Sequence, residues 1–333
     1  MKKTTLLILG LLFASVQTFA DTRATALLLH NGQGKSFDAD QLLQAVNEAV
    51  SGDTICLSEG TFNANEDLVL NKAIVIMGAG ETTRLQGNVS IGIDGNPEVL
   101  VHMLDGLRVT GNVIVTKEQR GLKIRKCWIG GYVYSIATLT DLQIERCFVM
   151  GLVPVTSMKS VLCVNSIIYQ LGPYNSGKTC NTIGNELTFH NCSIAQIFSP
   201  TDGNLQGLTF VNCVIASYNS VSHIGNNMFI NSLCRTTPSA YYGDATQNCY
   251  IDSTLGASGD FNHFVTFNLN GRNLTNELLT EKGYLGNDGI AVGAYGGTVP
   301  YSLVPDGLVI RESLLRVDPA TRQLNVTLKV ATE

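Results

Sequence analysis

The sequence predicts an all-β fold, a solenoid of short parallel strands with an N-terminal capping helix and a C-terminal β cap. Three observations predict it. One phrase keeps returning: GLKIRKCWIGG at Gly121–Gly131, DLQIERCFVMG at Asp141–Gly151, ELTFHNCSIAQI at Glu186–Ile197 and GLTFVNCVIASY at Gly207–Tyr218, with weaker copies at Ser160–Gln170 and Asn226–Cys234. Its small residue recurs at Cys127, Cys147, Ser166, Cys192, Cys213 and Ser232, at spacings of 20, 19, 26, 21 and 19 residues. A unit of about twenty residues cannot bury its own apolar face, so units must stack. Inside each copy apolar residues alternate, as in Leu122/Ile124, Leu142/Ile144, Leu187/Phe189 and Leu208/Phe210. Period two belongs to a strand, not a helix.

Strands stacked at about 4.8 Å per turn place like residues above like. The inward column is then Ile124, Ile144, Cys163, Phe189 and Phe210, and a corner column carries Asn165, Asn191, Asn212 and Asn231. Asn tolerates the left-handed backbone that a sharp corner requires, and its amide can bond to the next turn. Leucine-rich repeats have units of similar length, but they need a regular L-x-x-L-x-L-x-x-N frame and usually a helical return. Here the unit lengths vary and the returns are rich in Gly, Ser and Thr. The pattern resembles the right-handed parallel β-helix of the pectate-lyase-like families, exported bacterial type, with their internal Asn and small-residue ladders. The resemblance covers roughly Thr54 to Leu255, and no catalytic motif accompanies it.

Taken in order, Met1–Ala20 reads as a secretory signal: Lys2 and Lys3, an apolar run Leu6–Val16, then Thr18-Phe19-Ala20 as a cleavage site. The apolar run is too short to span a bilayer, and no transmembrane segment follows in the mature chain. The expected location is exported: periplasmic, secreted or cell-surface after cleavage near Ala20. Residues 21–53 form the N-terminal cap. Within them DADQLLQAVNEAV (Asp38–Val50) predicts a helix capped by Asp38 or Asp40, with Leu42, Leu43, Val46, Ala49 and Val50 along one stripe. The following SGDTICLSEGTF reads as a strand at Thr54–Leu57 and a turn at Ser58–Gly60. A helix running into GDTI…GTF is similar to the opening segment of the same families. It would cover the first coil, whose strand edges would otherwise stay unpaired.

Residues 54–260 carry the coils, roughly ten of them, for a length of about 50 Å. From 261 to 333 the period is lost. Turn-rich Gly286–Gly289 and Gly293–Gly297 precede two alternating segments, Leu308–Val317 and Leu324–Val330, joined at Asp318–Thr321: a C-terminal cap ending in a hairpin.

Without Lys2 and Lys3 the chain holds 20 basic and 27 acidic residues, a net charge of −7, which argues against nucleic acid as a partner. Nine Cys in an exported chain raise the question of disulfides, but the number is odd, at least three share one column, and no C-x-x-C pair offers a zinc site. Buried, inert thiols are the expectation.

Candidate sites are few. Gly172–Thr179 (GPYNSGKT) matches the phosphate-cradling G-x-x-x-x-G-K-T, which needs a following helix. Cys180–Asn185 is a poor helix, so the segment reads as an enlarged turn that accounts for the 26-residue unit. The one basic run comprises Lys117, Arg120, Lys123, Arg125 and Lys126. Alternation turns Lys123 and Arg125 outward, opposite Gln143 and Glu145 of the next turn. As a ligand site this face would bind an acidic polysaccharide or cell-surface glycan, with Trp128, Tyr132, Tyr134, Tyr169 and Tyr174 as sugar platforms. As a catalytic site it would place Lys123, Arg125 and Glu145 in a lyase or hydrolase. As a plain surface it would be a solvated strand face with an Arg125–Glu145 pair. The pectate-lyase resemblance implies Ca²⁺ for a lyase, and the nearest acids, Asp105, Asp141 and Glu145, fit no calcium-loop spacing. No cofactor and no metal site is otherwise expected: the five His share no ligand spacing, and no nucleophile motif occurs. Three functions remain open on these residues: a non-catalytic glycan-binding or cell-surface role, a polysaccharide lyase or glycoside hydrolase, and a structural or adhesin solenoid.

Overall fold

The computed structural model describes residues 24–63, 67–95, 103–172, 180–198, 203–218, 224–258 and 265–304, with the strands Leu308–Val317 and Leu324–Thr332 as backbone. The Met1–Ala20 segment, most of the 172–179 turn including Tyr174, and the 318–321 connection lie outside these residues.

The chain winds into a parallel β-solenoid whose turns each contribute a strand to two long sheets. The first sheet has twelve strands: an antiparallel N-terminal pair, then ten parallel strands from Thr54–Leu57 to Ala245–Gln247. The second sheet has thirteen strands and runs beside it from Gly60–Asn63 to Tyr250–Ile251. Register follows the repeat. Ile124, Ile144, Cys163, Phe189 and Phe210 are consecutive partners across the first sheet and are all fully buried, as the alternation predicts. Phe229 extends this column, and Phe189, Phe210 and Phe229 stack at 5.1 and 5.0 Å between ring centroids. Offset stacks of this kind add about 0.5–1.5 kcal/mol per pair beyond their burial.

The corner between the two sheets is left-handed in turn after turn. Positive φ occurs at Lys126, Arg146, Asn165, Asn191, Asn212, Asn231 and Asn248. The predicted Asn column is thus the corner column, and in two turns a long cation takes the place of Asn. Immediately after it runs the small-residue ladder. The thiol of Cys147 accepts the N–H of Cys127 at 3.4 Å, Ser166 Oγ accepts that of Cys147 at 3.1 Å, the Cys213 thiol that of Cys192 at 3.4 Å, and Ser232 Oγ that of Cys213 at 3.0 Å. The N–H groups of Leu107, Ser166 and Ser232 reach the thiols of Cys127, Cys192 and Cys249 in the same way. Small side chains are therefore required here as acceptors as well as for fit: each satisfies a buried N–H of the preceding turn, which would otherwise be orphaned. All nine cysteines are free.

The N-terminal cap departs from the expectation in two respects. The helical segment is shorter, a 3-10 turn at Ala39–Gln41 followed by an α-helix at Leu42–Glu48 that buries Leu42, Ala45 and Val46. The first strand edge is paired by a hairpin that the sequence did not announce. Thr25–His30 runs antiparallel to Thr54–Leu57 and is itself paired with Gln33–Asp38. The helix covers core, while the hairpin satisfies the edge.

The C-terminal segment also differs from a cap over the last coil. A small antiparallel sheet (Gly256–Ser258, Thr266–Leu269, Arg272–Asn273) and the helix Asn276–Glu281 lead into a strap that turns back along the flank. Tyr250 Oη donates to the Leu285 carbonyl at 3.0 Å. Asn212 Nδ2 donates to Asn287 Oδ1 at 2.9 Å, its Oδ1 accepts the Asn287 N–H at 3.1 Å, and its carbonyl accepts the Gly293 N–H at 2.8 Å. Further back, Ser193 Oγ accepts the Ala294 N–H at 3.0 Å, and Asn165 Nδ2 donates to the Gly296 carbonyl at 2.7 Å. The strap covers a second apolar cluster on the outer face of the second sheet, where Trp128, Phe148, Met150, Ile167, Tyr169 and Val214 meet Phe267, Leu279, Val292 and Ala294. The predicted terminal hairpin is present as an antiparallel pair, Leu308–Val317 with Leu324–Thr332.

Candidate functional site

The basic run is not a bare cationic groove. Lys117 Nζ pairs with Asp94, Arg120 Nε with Asp141 at 3.1 Å, Lys123 Nζ with Glu145 at 3.4 Å, and Arg125 Nη2 with Asp105 at 2.5 Å. Each of these cations meets a carboxylate one turn away. Arg125 stands in register with both Asp105 and Glu145; its ion pair with Asp105 lies on one side, and Lys123 meets Glu145 on the other. Arg146 also reaches Glu145 at 3.1 Å. Lys126 is not on the outer face: it holds a left-handed corner and is buried. Trp128 and Tyr169 are buried as well, at 5% and 9% exposure, beneath the flank cluster. Tyr132 and Tyr134 are half-buried, and the Tyr132 ring lies so close to Gly151 that a Cβ there would fall 2.2 Å from Cδ1. Asp105, Asp141 and Glu145 therefore answer different cations and do not converge. Among the described residues no group of three His, Cys, Asp or Glu stands in metal-ligating reach of one another. What followed the P-loop-like segment is a strand, Cys180–Asn181, paired with Gly203–Gln206.

Concave space lies elsewhere, where the C-terminal segment meets the flank. A cavity of about 500 Å³ is bounded by Ile167 and Ser193 of the second sheet, by Val265, Thr266 and Phe267, by Asn273–Glu277, and by Tyr295. Apolar residues share its wall with two amides, three hydroxyls, a carboxylate and a phenol, the mixture expected of a site for a hydroxyl-rich ligand. Asn276 donates from Nδ2 to the Tyr295 carbonyl at 2.6 Å, while its Oδ1 is buried with no hydrogen-bond partner. A buried acceptor without a donor costs about 1–3 kcal/mol, and a bound hydroxyl removes that cost. The Glu277 carboxyl is held below its usual value by its own backbone N–H and the Thr275 hydroxyl, so it is charged at neutral pH. Burial raises the Tyr295 phenol, so it stays protonated there.

Tyr295 also borders a second cavity, of about 420 Å³, with Glu59, Glu81, Thr82, Tyr301 and Leu303. Tyr295 and Tyr301 meet edge to face at 5.5 Å, and Tyr301 Oη is buried without a partner. Two carboxylates from adjacent turns thus share one cavity with two phenols. The sequence offered no such pair, because Glu59 and Glu81 precede the well-phased repeats and the tyrosines come from the strap. One local signal was readable: Thr275 stands where a helix N-cap belongs, and its hydroxyl accepts the Leu278 N–H at 3.2 Å. What could not be read was where that helix docks. No protein-family model, characterised protein or solved structure matches the chain.

Proposed function

We propose that the protein is an exported glycan-binding β-solenoid, akin to the non-catalytic end of the pectate-lyase-like class, which holds hydroxyl-rich sugar in the cavity between its flank and its C-terminal segment. One observation carries this reading: the unpartnered, buried Asn276 Oδ1 in a cavity of about 500 Å³ that also holds Asn273, Thr275, Glu277 and Tyr295. Sugar hydroxyls both donate and accept, and Asn, Thr, Glu and Tyr supply complementary groups. Export rests on the signal-like Met1–Ala20 and predicts a mature chain beginning at Asp21. Affinity gel electrophoresis against a panel of neutral and acidic polysaccharides tests the binding. Retardation by at least one neutral polymer is expected, with loss in Asn276→Ala and Tyr295→Ala. If no polymer retards the protein, or both variants migrate like the parent, the reading is wrong.

A second reading, glycoside hydrolysis, draws on Glu59 and Glu81 in the neighbouring cavity, because that chemistry uses two carboxylates in one cleft. Release of reducing ends that disappears in both Glu59→Gln and Glu81→Gln supports it. Release that persists in either variant excludes this pair.

A further inference from the structure

The outward column of the second sheet changes character along its length. From Trp128 onward it is mostly apolar (Trp128, Phe148 and Ile167, then Ser193 and Val214) and covered by the strap, whereas its earlier positions are Thr61, Arg84 and Arg108, in direct register on successive turns. Arg84 is exposed and Arg108 half-buried. Unlike the cations of the Lys117–Arg125 ladder, neither arginine has a carboxylate in ion-pair reach among the described residues. Arg108 instead sits over the Trp128 ring, with its guanidinium carbon 3.9 Å from the ring centroid, and Trp128 stacks on Phe148 at 5.5 Å. Arg108 Nε is buried without an acceptor.

Two like charges directly opposite on neighbouring strands destabilise a sheet. Burial first, and the Arg84 charge second, push the Arg108 guanidinium below its usual value, while Glu81 offsets this only in part. The fold therefore carries a juxtaposition that an anion would relieve.

We infer that Arg84 and Arg108, aligned on adjacent turns and backed by Trp128, form a site for an oxyanion (carboxylate, sulfate or phosphate) displayed on an acidic polysaccharide. Guanidinium forks match the geometry of such groups and bind them through paired, charge-assisted hydrogen bonds. A polymer with regularly spaced anions can engage both forks, which sit one turn apart, about 4.8 Å. The site is independent of the cavity proposed for sugar hydroxyls and stands or falls without it.

Trp128 is the sole tryptophan of the chain, so intrinsic fluorescence reports directly on the floor of this site. The experiment titrates the full chain with an oligogalacturonate, with a neutral oligosaccharide of equal length, and with sodium sulfate, each at low and high ionic strength. A saturable change with the acidic oligomer, weakened by salt and absent with the neutral one, is expected. Arg84→Gln should weaken it at least about tenfold, the loss of one charge-assisted fork. Because Arg84 lies two strands from Trp128, with Arg108 between them, that variant keeps the reporter in place, and Arg108→Lys should weaken binding while keeping the charge. Sulfate alone binding as tightly as the oligomer would overturn the polysaccharide as carrier. No saturable change with any anion, or equal binding by Arg84→Gln, would overturn the site.

Discussion

Substitution of Cys213 separates hydrogen bonding from simple packing in the small-residue ladder. The Cys213 thiol accepts the Cys192 N–H at 3.4 Å and donates toward the carbonyls of Phe189 and Val211, both at 3.3 Å, and the residue is fully buried. Serine already occupies this column at positions 166 and 232. There the hydroxyl accepts the N–H of the preceding turn at 3.1 and 3.0 Å and donates to the carbonyl two residues back at 2.9 Å in both cases. Cys213→Ser therefore exchanges one bonded group for another. Its cost is the apolar burial and volume of sulfur, offset by shorter bonds, and should stay under about 1.5 kcal/mol. Cys213→Ala keeps an apolar side chain but strands the buried Cys192 N–H, at about 1–3 kcal/mol, and leaves a void the size of a methyl group worth about 1 kcal/mol more. The expected order of stability is Cys, then Ser, then Ala. Hydropathy alone puts Ala above Ser. Urea unfolding followed by circular dichroism, with linear extrapolation at equal m-values, measures the order. If Ala equals or exceeds Ser, the ladder is packing alone and the hydrogen-bond argument is wrong.

Three further outcomes follow from the same geometry. Phe210→Asp buries an unpaired carboxylate between Phe189 and Phe229 and should cost several kcal/mol, while Lys123→Ala, which removes one partly exposed pair with Glu145, should cost under about 1 kcal/mol. Equal melting temperatures for the two variants would contradict the assigned facing. Asn212→Gly keeps the left-handed corner but removes both side-chain bonds to Asn287; limited proteolysis should then cut within residues 282–300 faster than in the parent, and an unchanged rate would show that the strap does not depend on this anchor. Burial pushes the Cys180 thiol up to about 12 and raises Cys127, Cys163, Cys192 and Cys234 as well. A folded-state value above the unfolded one gives stability that is complete below the unfolded value, near 9.0, and lost as pH rises beyond it. The melting temperature should be level up to about pH 8.5 and fall steeply above it; a flat profile to about pH 11 would place these thiols in contact with water.

The repeat was legible because its chemistry is strictly local. Alternation at Leu142/Ile144 and Leu208/Phe210, a small acceptor at Cys147 and Cys213, and a left-handed corner at Asn212 each answer a need that recurs in every turn. Features that answer a single need left no period. Gln33–Asp38 buries only Phe37, so its strand shows no alternation and could not be distinguished from a loop. Ala291, Val292 and Ala294 are buried by the flank they dock on, and their short, turn-rich surroundings gave no sign of it. The basic run is contiguous in sequence, but the acids that neutralise it come from turns 20 or more residues away, and register sets Arg125 beside Asp105 on one strand and Glu145 on the other. Arg84 and Arg108 stand 24 residues apart, in turns too irregular to align with the recurring phrase, so their juxtaposition emerges only from the paired strands.

The strap changes how the molecule should come apart. In an array bound only between neighbours, turns fray from either end and unfolding spreads over a broad range of denaturant. Here a single returning segment is anchored at Tyr250, Asn212, Ser193 and Asn165 and reaches the cavity beside Glu81. Losing a terminal turn loosens that segment, and loosening it exposes the flank of every turn it crosses. The solenoid is thereby converted from a stack of semi-independent rungs into one unit that melts together.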